Sequence, residues 1–140
     1  MSQENVELAA DVRRLLGAYS RGDFDAAMET VHPDIEFVPP GGQQTLKGSA
    51  RFRAWMEPDA FEFQVVEVLD IRVVGRKVLV RMRNHIKGAG SGVEIDFQLW
   101  GVWTYDDAGL QTRIEMYLDR EEAEALEAVG LSEQEAHADS

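Results

Sequence analysis

Val93-Glu94-Ile95-Asp96-Phe97-Gln98-Leu99-Trp100-Gly101-Val102-Trp103-Thr104-Tyr105, then Asp106-Asp107-Ala108-Gly109 and Arg113-Ile114-Glu115-Met116-Tyr117-Leu118-Asp119, is the stretch on which the fold turns. In its first part Val93, Ile95, Phe97, Leu99, Gly101, Trp103 and Tyr105 alternate with Glu94, Asp96, Gln98, Trp100, Val102 and Thr104. That period of two, with one face almost wholly apolar, describes a strand buried on one side. Asp106 to Gly109 supplies residues that tolerate the backbone angles of a tight reversal. Beyond it Ile114, Met116 and Leu118 share one face, and Arg113, Glu115, Tyr117 and Asp119 the other. The reading is an antiparallel hairpin whose apolar face needs a cover.

The chain upstream offers both more sheet and that cover. From Glu4 to Arg21 the residues Val6, Ala9, Val12, Leu15, Leu16 and Tyr19 recur at helical spacing, with Ser2 or Asn5 as cap. Gly22 suits the left-handed position past the last turn, and Asp23 caps a second short helix, Phe24 to Val31. His32-Pro33-Asp34 ends that helix, His32 satisfying its terminus, and Ile35 and Phe37 begin a short strand. Pro39 to Gln44 is a loop; Ser49 caps a third helix with Phe52, Trp55 and Met56 on its apolar side and Pro58 at its end. Phe61 to Val74 is a long strand in which the adjacent Val65-Val66 suggests a bulge. Gly75-Arg76 turns into a strand with Val78, Val80, Met82 and Asn84 facing one way and Leu79, Arg81, Arg83 and His85 the other. Gly88 to Gly92 connects to the hairpin, and Arg120 to Gly130 is a helix with Ala123, Leu126 and Val129 as a thin stripe. The fold class is α+β, helices packed on one face of an antiparallel sheet, as one domain over residues 1–131 with an acidic, frayed tail at 132–140.

Composition narrows the function. The net charge of −12 argues against nucleic acid or an anionic membrane surface as partner. Residues 120–140 carry seven acids against one Arg, so half of that charge belongs to the C-terminal segment. With no cysteine there is no thiol chemistry or Cys-based zinc site, and three scattered histidines (His32, His85, His137) give no metal-ligand spacing. No cofactor is expected. The absence of a long apolar run and of a basic-then-apolar N-terminus leads to the expectation of a cytoplasmic protein.

The order of elements resembles the nuclear transport factor two-like superfamily, and within it the SnoaL-like group. The residues carrying the likeness are Tyr19 to Ala27, His32 to Phe37, Lys47-Gly48 with Phe52 and Trp55, Gly101 to Gly109, and Asp119 to Ala123 through Gly130-Leu131. The resemblance implies a cone-shaped, strongly curved sheet closed by three helices of the N-terminal half, a ligand cavity inside, and often a homodimer through the outer face. It also implies polar groups at particular positions. Those of ketosteroid isomerases fall on Leu15, Pro39 and Gly101, and the acid/base of SnoaL-type polyketide cyclases falls on Met116; none of the four matches. The Asp-Arg-Asp set of limonene-epoxide-hydrolase-like members has no equivalent on the apolar face.

Candidate residues follow from these faces. Tyr19, Trp55, Met82, Asn84, Leu99, Trp103, Tyr105 and Met116 are expected to wall a pocket for a small apolar or aromatic molecule, although Trp103 and Tyr105 also suit ordinary core. Proton transfer needs a titratable group in an apolar cavity. The candidates for it are His85 with Asp96, if a bulge turns them inward, aided by Tyr105. Arg81, Arg83, Gln98, Trp100, Glu115 and Tyr117 mix charge with large aromatics on the outer face, which fits a homodimer contact with cross-strand or cross-subunit ion pairs. Three functions are thus open: a small-molecule-binding domain, an isomerase, cyclase or hydrolase acting on a polyketide-, steroid- or terpenoid-like compound, and a non-catalytic partner-binding module.

Overall fold

In the computed structural model the described residues are 3–41, 44–56 and 61–131. Ser2, Gly42-Gln43, Pro58, the 132–140 tail and His137 lie outside them. The elements run α1 (Gln3–Ser20), α2 (Phe24–Ala27), β1 (Val31–Val38), β2 (Leu46–Lys47), α3 (Ser49–Met56), β3 (Phe61–Val74), β4 (Lys77–Gly88), β5 (Glu94–Tyr105) and β6 (Gln111–Leu118). A 3-10 turn at Asp119–Glu121 leads into α4 (Glu122–Ala128). The strands form one open sheet in the order β2-β1-β6-β5-β4-β3.

Local chemistry explains the helical ends. Past α1, Gly22 takes a φ of 76°, its N–H bonds the Tyr19 carbonyl, and the Asp23 N–H bonds the Ala18 carbonyl. These two bonds satisfy carbonyls that the helix end would otherwise strand. The Asp23 carboxylate then accepts from the Ala26 N–H at 3.1 Å, capping α2. That helix is shorter than expected, because the Thr30 carbonyl accepts from Gln111 N–H at 2.7 Å and draws the chain into the sheet. His32 therefore lies in β1, where its Nδ1 accepts from the Asp34 N–H at 2.9 Å instead of serving the helix. Asn5 is inside α1, and Ser49 is the first residue of α3 with Gly48 before it, so neither acts as a cap.

The sheet departs from the expectation of purely antiparallel pairing at one seam. β3–β4, β4–β5 and β5–β6 are an antiparallel meander, but β1 runs parallel to β6. Hairpin turns dictate direction only between consecutive strands, and β1 and β6 are not consecutive. The expected break at Val65-Val66 is also displaced: those residues pair regularly with His85 and Asn84, and the register shifts instead between Phe61 and Phe63 and at Leu69, between Val68↔Met82 and Asp70↔Arg81. Inward positions accordingly change phase, from Val66 and Val68 to Ile71 and Val73.

Two apolar clusters result. The main core joins α1 (Leu8, Val12, Leu15, Leu16, Ala18) and α3 (Phe52, Met56) to the inner faces of the strands, with Val78, Val80 and Trp103 among its most buried members. Val6, expected in the α1 stripe, is 47 % exposed. The second cluster lies on the outer face, where Ala125, Leu126 and Val129 cover Leu79, Trp100 and Val102. Ala125, rather than Ala123, completes the α4 stripe. Lys77 Nζ donates to the Ala128 carbonyl at 2.8 Å, the charge expected to favour a helix C-terminus.

Asp11 is the polar centre of the core. Its Oδ2 accepts from Thr30 Oγ1 at 2.8 Å and from the Tyr105 hydroxyl at 2.7 Å, and its Oδ1 accepts from Arg14 Nε and Nη2 at 3.2 and 3.0 Å. Gln111, fully buried, donates through Nε2 to Thr30 Oγ1 at 2.7 Å. Hydrogen bonds to a charged group contribute roughly 1.5–3 kcal/mol, and truncating the shared acceptor strands several donors together. Asp11→Ala is expected to lower unfolding free energy by about 3 kcal/mol and Tyr105→Phe by about 1.5 kcal/mol in urea titrations with unchanged m-value. Equal, small losses for both would remove Asp11 from this role.

Candidate functional site

Helices α1 and α3 lie on opposite margins of the sheet's inner face, α1 against β3 and β4, and α3 against β1 and β2. Between them is a cavity of about 190 Å³. Leu15, Leu16 and Tyr19 of α1 and Phe52, Trp55 and Met56 of α3 form its helical walls. Its sheet wall comprises Phe37, Gln64, Val66, Met82, Asn84, Ile86, Phe97, Leu99, Trp103, Ile114 and Met116, with Pro40 at the end of β1. The Phe37 ring lies 4.9 Å from that of Phe52 and 4.5 Å from that of Trp55, tilted to both, so ring contacts hold α3 beside the opening.

Seven of the eight expected pocket residues line this space: Tyr19, Trp55, Met82, Asn84, Leu99, Trp103 and Met116. Tyr105 does not. It is 3 % exposed and its hydroxyl donates to Asp11, which together with burial holds its pKa far above the usual phenol range. A strand's parity places Tyr105 on the inner face but says nothing of how far α1 extends over it. Gln64 was missed, although it shares the parity of Val66 and Val68 on β3.

The polar atoms of the wall are few. Tyr19 donates to Gln64 Oε1, and burial pushes its pKa up to about 12, so the phenol stays neutral near pH 7. Among the described residues no carboxylate, histidine, lysine or arginine lines the cavity. Two lining side chains hold buried donors without a partner among the described residues, Asn84 Nδ2 and Trp103 Nε1. Leaving such a donor unsatisfied costs about 1–3 kcal/mol. Trp103 owes its position to Gly101: a Cβ there would come within 2.6 Å of the indole Cζ3 and 2.7 Å of the Met82 methyl. The ring therefore occupies the space above a residue that has no side chain.

His85 and Asp96 do meet, at 2.5 Å from Nδ1 to Oδ1, with Glu94 3.4 Å from Nε2. They meet on the outer face, however, with 35 % and 63 % of their side chains exposed. No bulge separates them from their neighbours on β4 and β5, so their parity keeps them outside. The expected outer contact face is also altered. Trp100 is 8 % exposed, since α4 covers it and its Nε1 donates to the Asp119 carbonyl at 3.3 Å. Arg81 lies over its ring at 5.5 Å, donates to Gln98 Oε1 at 2.8 Å and pairs with Asp119 at 3.7 Å. Glu115 accepts from the Tyr117 hydroxyl at 2.6 Å and pairs with Arg113 at 3.3 Å, not with Arg81 or Arg83; Arg83 pairs with Glu67 at 3.8 Å. The described residues contain no cluster arranged to hold a metal ion and no helix long and apolar enough to cross a membrane.

The SnoaL-like domain profile matches residues 12–114. No curated protein matches the chain. Among solved structures, a candidate SnoaL-like polyketide cyclase from Jannaschia sp. CCS1 superimposes with a TM-score of 0.75 at 21 % identity, over 86 % of this chain and 90 % of that one. An LEH-like epoxide hydrolase from M. tuberculosis gives 0.72 at 22 % identity, over 84 % and 86 %. A nuclear transport factor two-like protein of unknown function from Burkholderia pseudomallei gives 0.70 at 15 % identity, over 95 % and 99 %. At these identities the likeness is one of fold.

The outer-face histidine provides a test of placement. The Asp96 hydrogen bond, with smaller help from Glu94, raises the His85 pKa above its ordinary 6.5. A raised histidine pKa contributes stability that is fully present below 6.5 and lost as pH rises through the folded value. The His85 midpoint in an NMR titration is expected above 6.5, falling toward it in Asp96→Asn. The stability difference between the two proteins is expected to be largest on the acid side. A midpoint indifferent to Asp96→Asn would contradict the pairing.

Proposed function

This chain belongs to the SnoaL-like domain family, and from that premise we propose that it binds a small, apolar ring compound in the cavity beneath its sheet. The single observation carrying this reading is the cavity wall, which presents aromatic and aliphatic side chains and no charged group among the described residues. Apolar ligand sites have this character, with a small number of polar groups fixing orientation. An apolar cavity of about 150 Å³ admits benzene. At about 190 Å³ this one has room for a second fused ring. The names of the structural neighbours, a polyketide cyclase and an epoxide hydrolase, lend support, since both point to small organic molecules.

The reading is of binding without proton transfer by the wall itself. General acid–base catalysis requires a side chain that changes charge near the working pH and lies within reach of the ligand. Tyr19, at a pKa of about 12, is the titratable group of the described wall and remains protonated. The isomerase, cyclase or hydrolase alternative through His85 and Asp96 is disfavoured by their outer-face position, and the purely structural alternative by the cavity itself.

The test is a thermal-shift screen of neutral ring compounds followed by a cavity-filling variant. A ligand at 100 times its Kd stabilises the folded state by about 2.7 kcal/mol, well within detection. Met116→Trp adds bulk to the wall opposite Gly101 and is expected to weaken binding at least about tenfold, at a stability cost of about 1–3 kcal/mol. No binder across a broad library, or undiminished binding by a folded Met116→Trp protein, would refute the proposal.

A further inference from the structure

The sheet has an open edge in its interior, along the β6 side of β5. β6 ends at Leu118, opposite Leu99, and the chain then turns toward the outer face, where the Asp119 carbonyl accepts from Trp100 Nε1. Residues 94–98 of β5 extend past that point and pair, among the described residues, with β4 alone. In a strand the N–H and C=O of one residue point to the same side, and successive residues alternate. The Val93 carbonyl accepts from the Gly88 N–H at 2.9 Å, and the Tyr105 N–H donates to the Arg76 carbonyl at 3.0 Å. No register shift interrupts the β4–β5 pairing between them, so the odd-numbered residues of β5 face β4. The backbones of Glu94 and Asp96 therefore face the open edge, a template for a further strand.

The outermost edges of the sheet are blunted by contrast. β2 is two residues long, and β3 is interrupted by the register shift at Leu69. The open stretch of β5 has no Pro and no shift, and its inner row, Val93, Ile95 and Phe97, is apolar and 57, 49 and 38 % exposed. Its outer row is acidic. Glu94 stands opposite Lys87 and Asp96 opposite His85 on β4, and both carboxylates are more than half exposed.

Charge selects the occupant. Two copies of this edge paired about a two-fold axis at Ile95 set Glu94 opposite Asp96, and an axis at Asp96 sets that residue against itself. Like charges directly opposite destabilise a ladder. An axis at Phe97 brings Glu94 opposite Trp100, which β6 already pairs. Residues 132–140 carry three acids and no Lys or Arg, so the same repulsion applies to them. A strand with Lys or Arg at alternate positions instead adds a cation on the free side of each carboxylate. Its intervening apolar residues stand beside Ile95 and Phe97.

We propose that residues 94–98 are a docking edge for an extended segment of a partner protein, with alternating basic and apolar side chains, added to the sheet in line with β6. The probe is a short capped peptide of alternating valine and lysine, titrated into the whole chain and followed by NMR. It is expected to bind at least about tenfold more tightly than a valine–glutamate peptide of the same pattern, since two attractive cross-strand pairs become repulsive. With the peptide bound, amide exchange slows at Glu94 and Asp96 and not at Ile95 and Phe97, whose N–H groups already face β4. Attraction between charges alone does not produce that alternation. The Glu94→Lys/Asp96→Lys variant reverses the preference between the two peptides. Asp96→Pro removes an N–H on the open side, where an edge strand tolerates proline, and weakens binding of the valine–lysine peptide about tenfold. The wild-type comparisons do not depend on how the variants fold. Equal binding by a valine–lysine peptide N-methylated at alternate residues, equal binding by the valine–glutamate peptide, or no binding by the valine–lysine peptide overturns the proposal. So does slow exchange at Glu94 and Asp96 in peptide-free protein that sediments as a dimer, which would seat a second copy on this edge. None of these outcomes bears on the cavity reading.

Discussion

A single carboxylate holds α1 at a fixed distance from the sheet. Asp11 accepts from Thr30 before β1, from Tyr105 at the end of β5 and from Arg14 on its own helix. At the C-terminal end of α1, Ser20 Oγ accepts from the Val66 N–H of β3 at 2.9 Å, and Tyr19 donates to Gln64 on the same strand. The helix is thus tied to the sheet by directional bonds at its middle and its C-terminal end, and Leu15 and Leu16 lie between them. Apolar packing is non-directional and would draw the helix down until the void closed. Hydrogen bonds with lengths to satisfy resist that collapse, and the cavity lies under this part of the helix, against Leu15, Leu16 and Tyr19.

The same argument explains what was legible in the sequence. Period-2 parity identifies the face of a strand correctly, and it placed Met82, Asn84, Leu99, Trp103 and Met116 on the cavity side. It cannot state depth. Tyr105 shares that parity but sits where Asp11 reaches down to it, so it became part of the closed end. Asp11 itself carried a signal: it falls among Leu8, Val12 and Leu15 on the buried stripe of α1, where an acid needs partners. The displaced bulge has a similar lesson. Val65-Val66 broke the apolar pattern only because an edge strand tolerates an exposed valine; the true phase change is the step from Val68 to Ile71. That step was present in the residues and is a better indicator than an apolar doublet.

The outer face shows why large aromatics on a sheet are ambiguous evidence for a partner. Trp100 and Tyr117 needed covering, and the chain supplies part of the cover itself. Ala125, Leu126 and Val129 pack over Trp100 and Leu79, and Lys77 holds the far end of α4. Composition alone hid this, since the segment is strongly acidic and its apolar stripe is thin. A helix of seven residues would not be stable alone. Its stability comes from the surface it covers. That face also carries ion pairs, Arg83 with Glu67 and His85 with Asp96, each worth little when exposed.

The interior has been built the opposite way. The positions at which the family resemblance implies polar catalytic groups are Leu15, Pro39, Gly101 and Met116, and of these Leu15 and Met116 do line the cavity. Neither of these two side chains carries a group whose burial would need desolvation. Gly101 goes further, since the absent side chain is what lets Trp103 lie across it. None of these four positions holds a titratable group, and the indole over Gly101 is a donor that cannot change charge. Such a donor can orient or polarise an acceptor but cannot carry a proton away. Among the described residues the cavity wall therefore contributes shape and an apolar surrounding rather than a charged group.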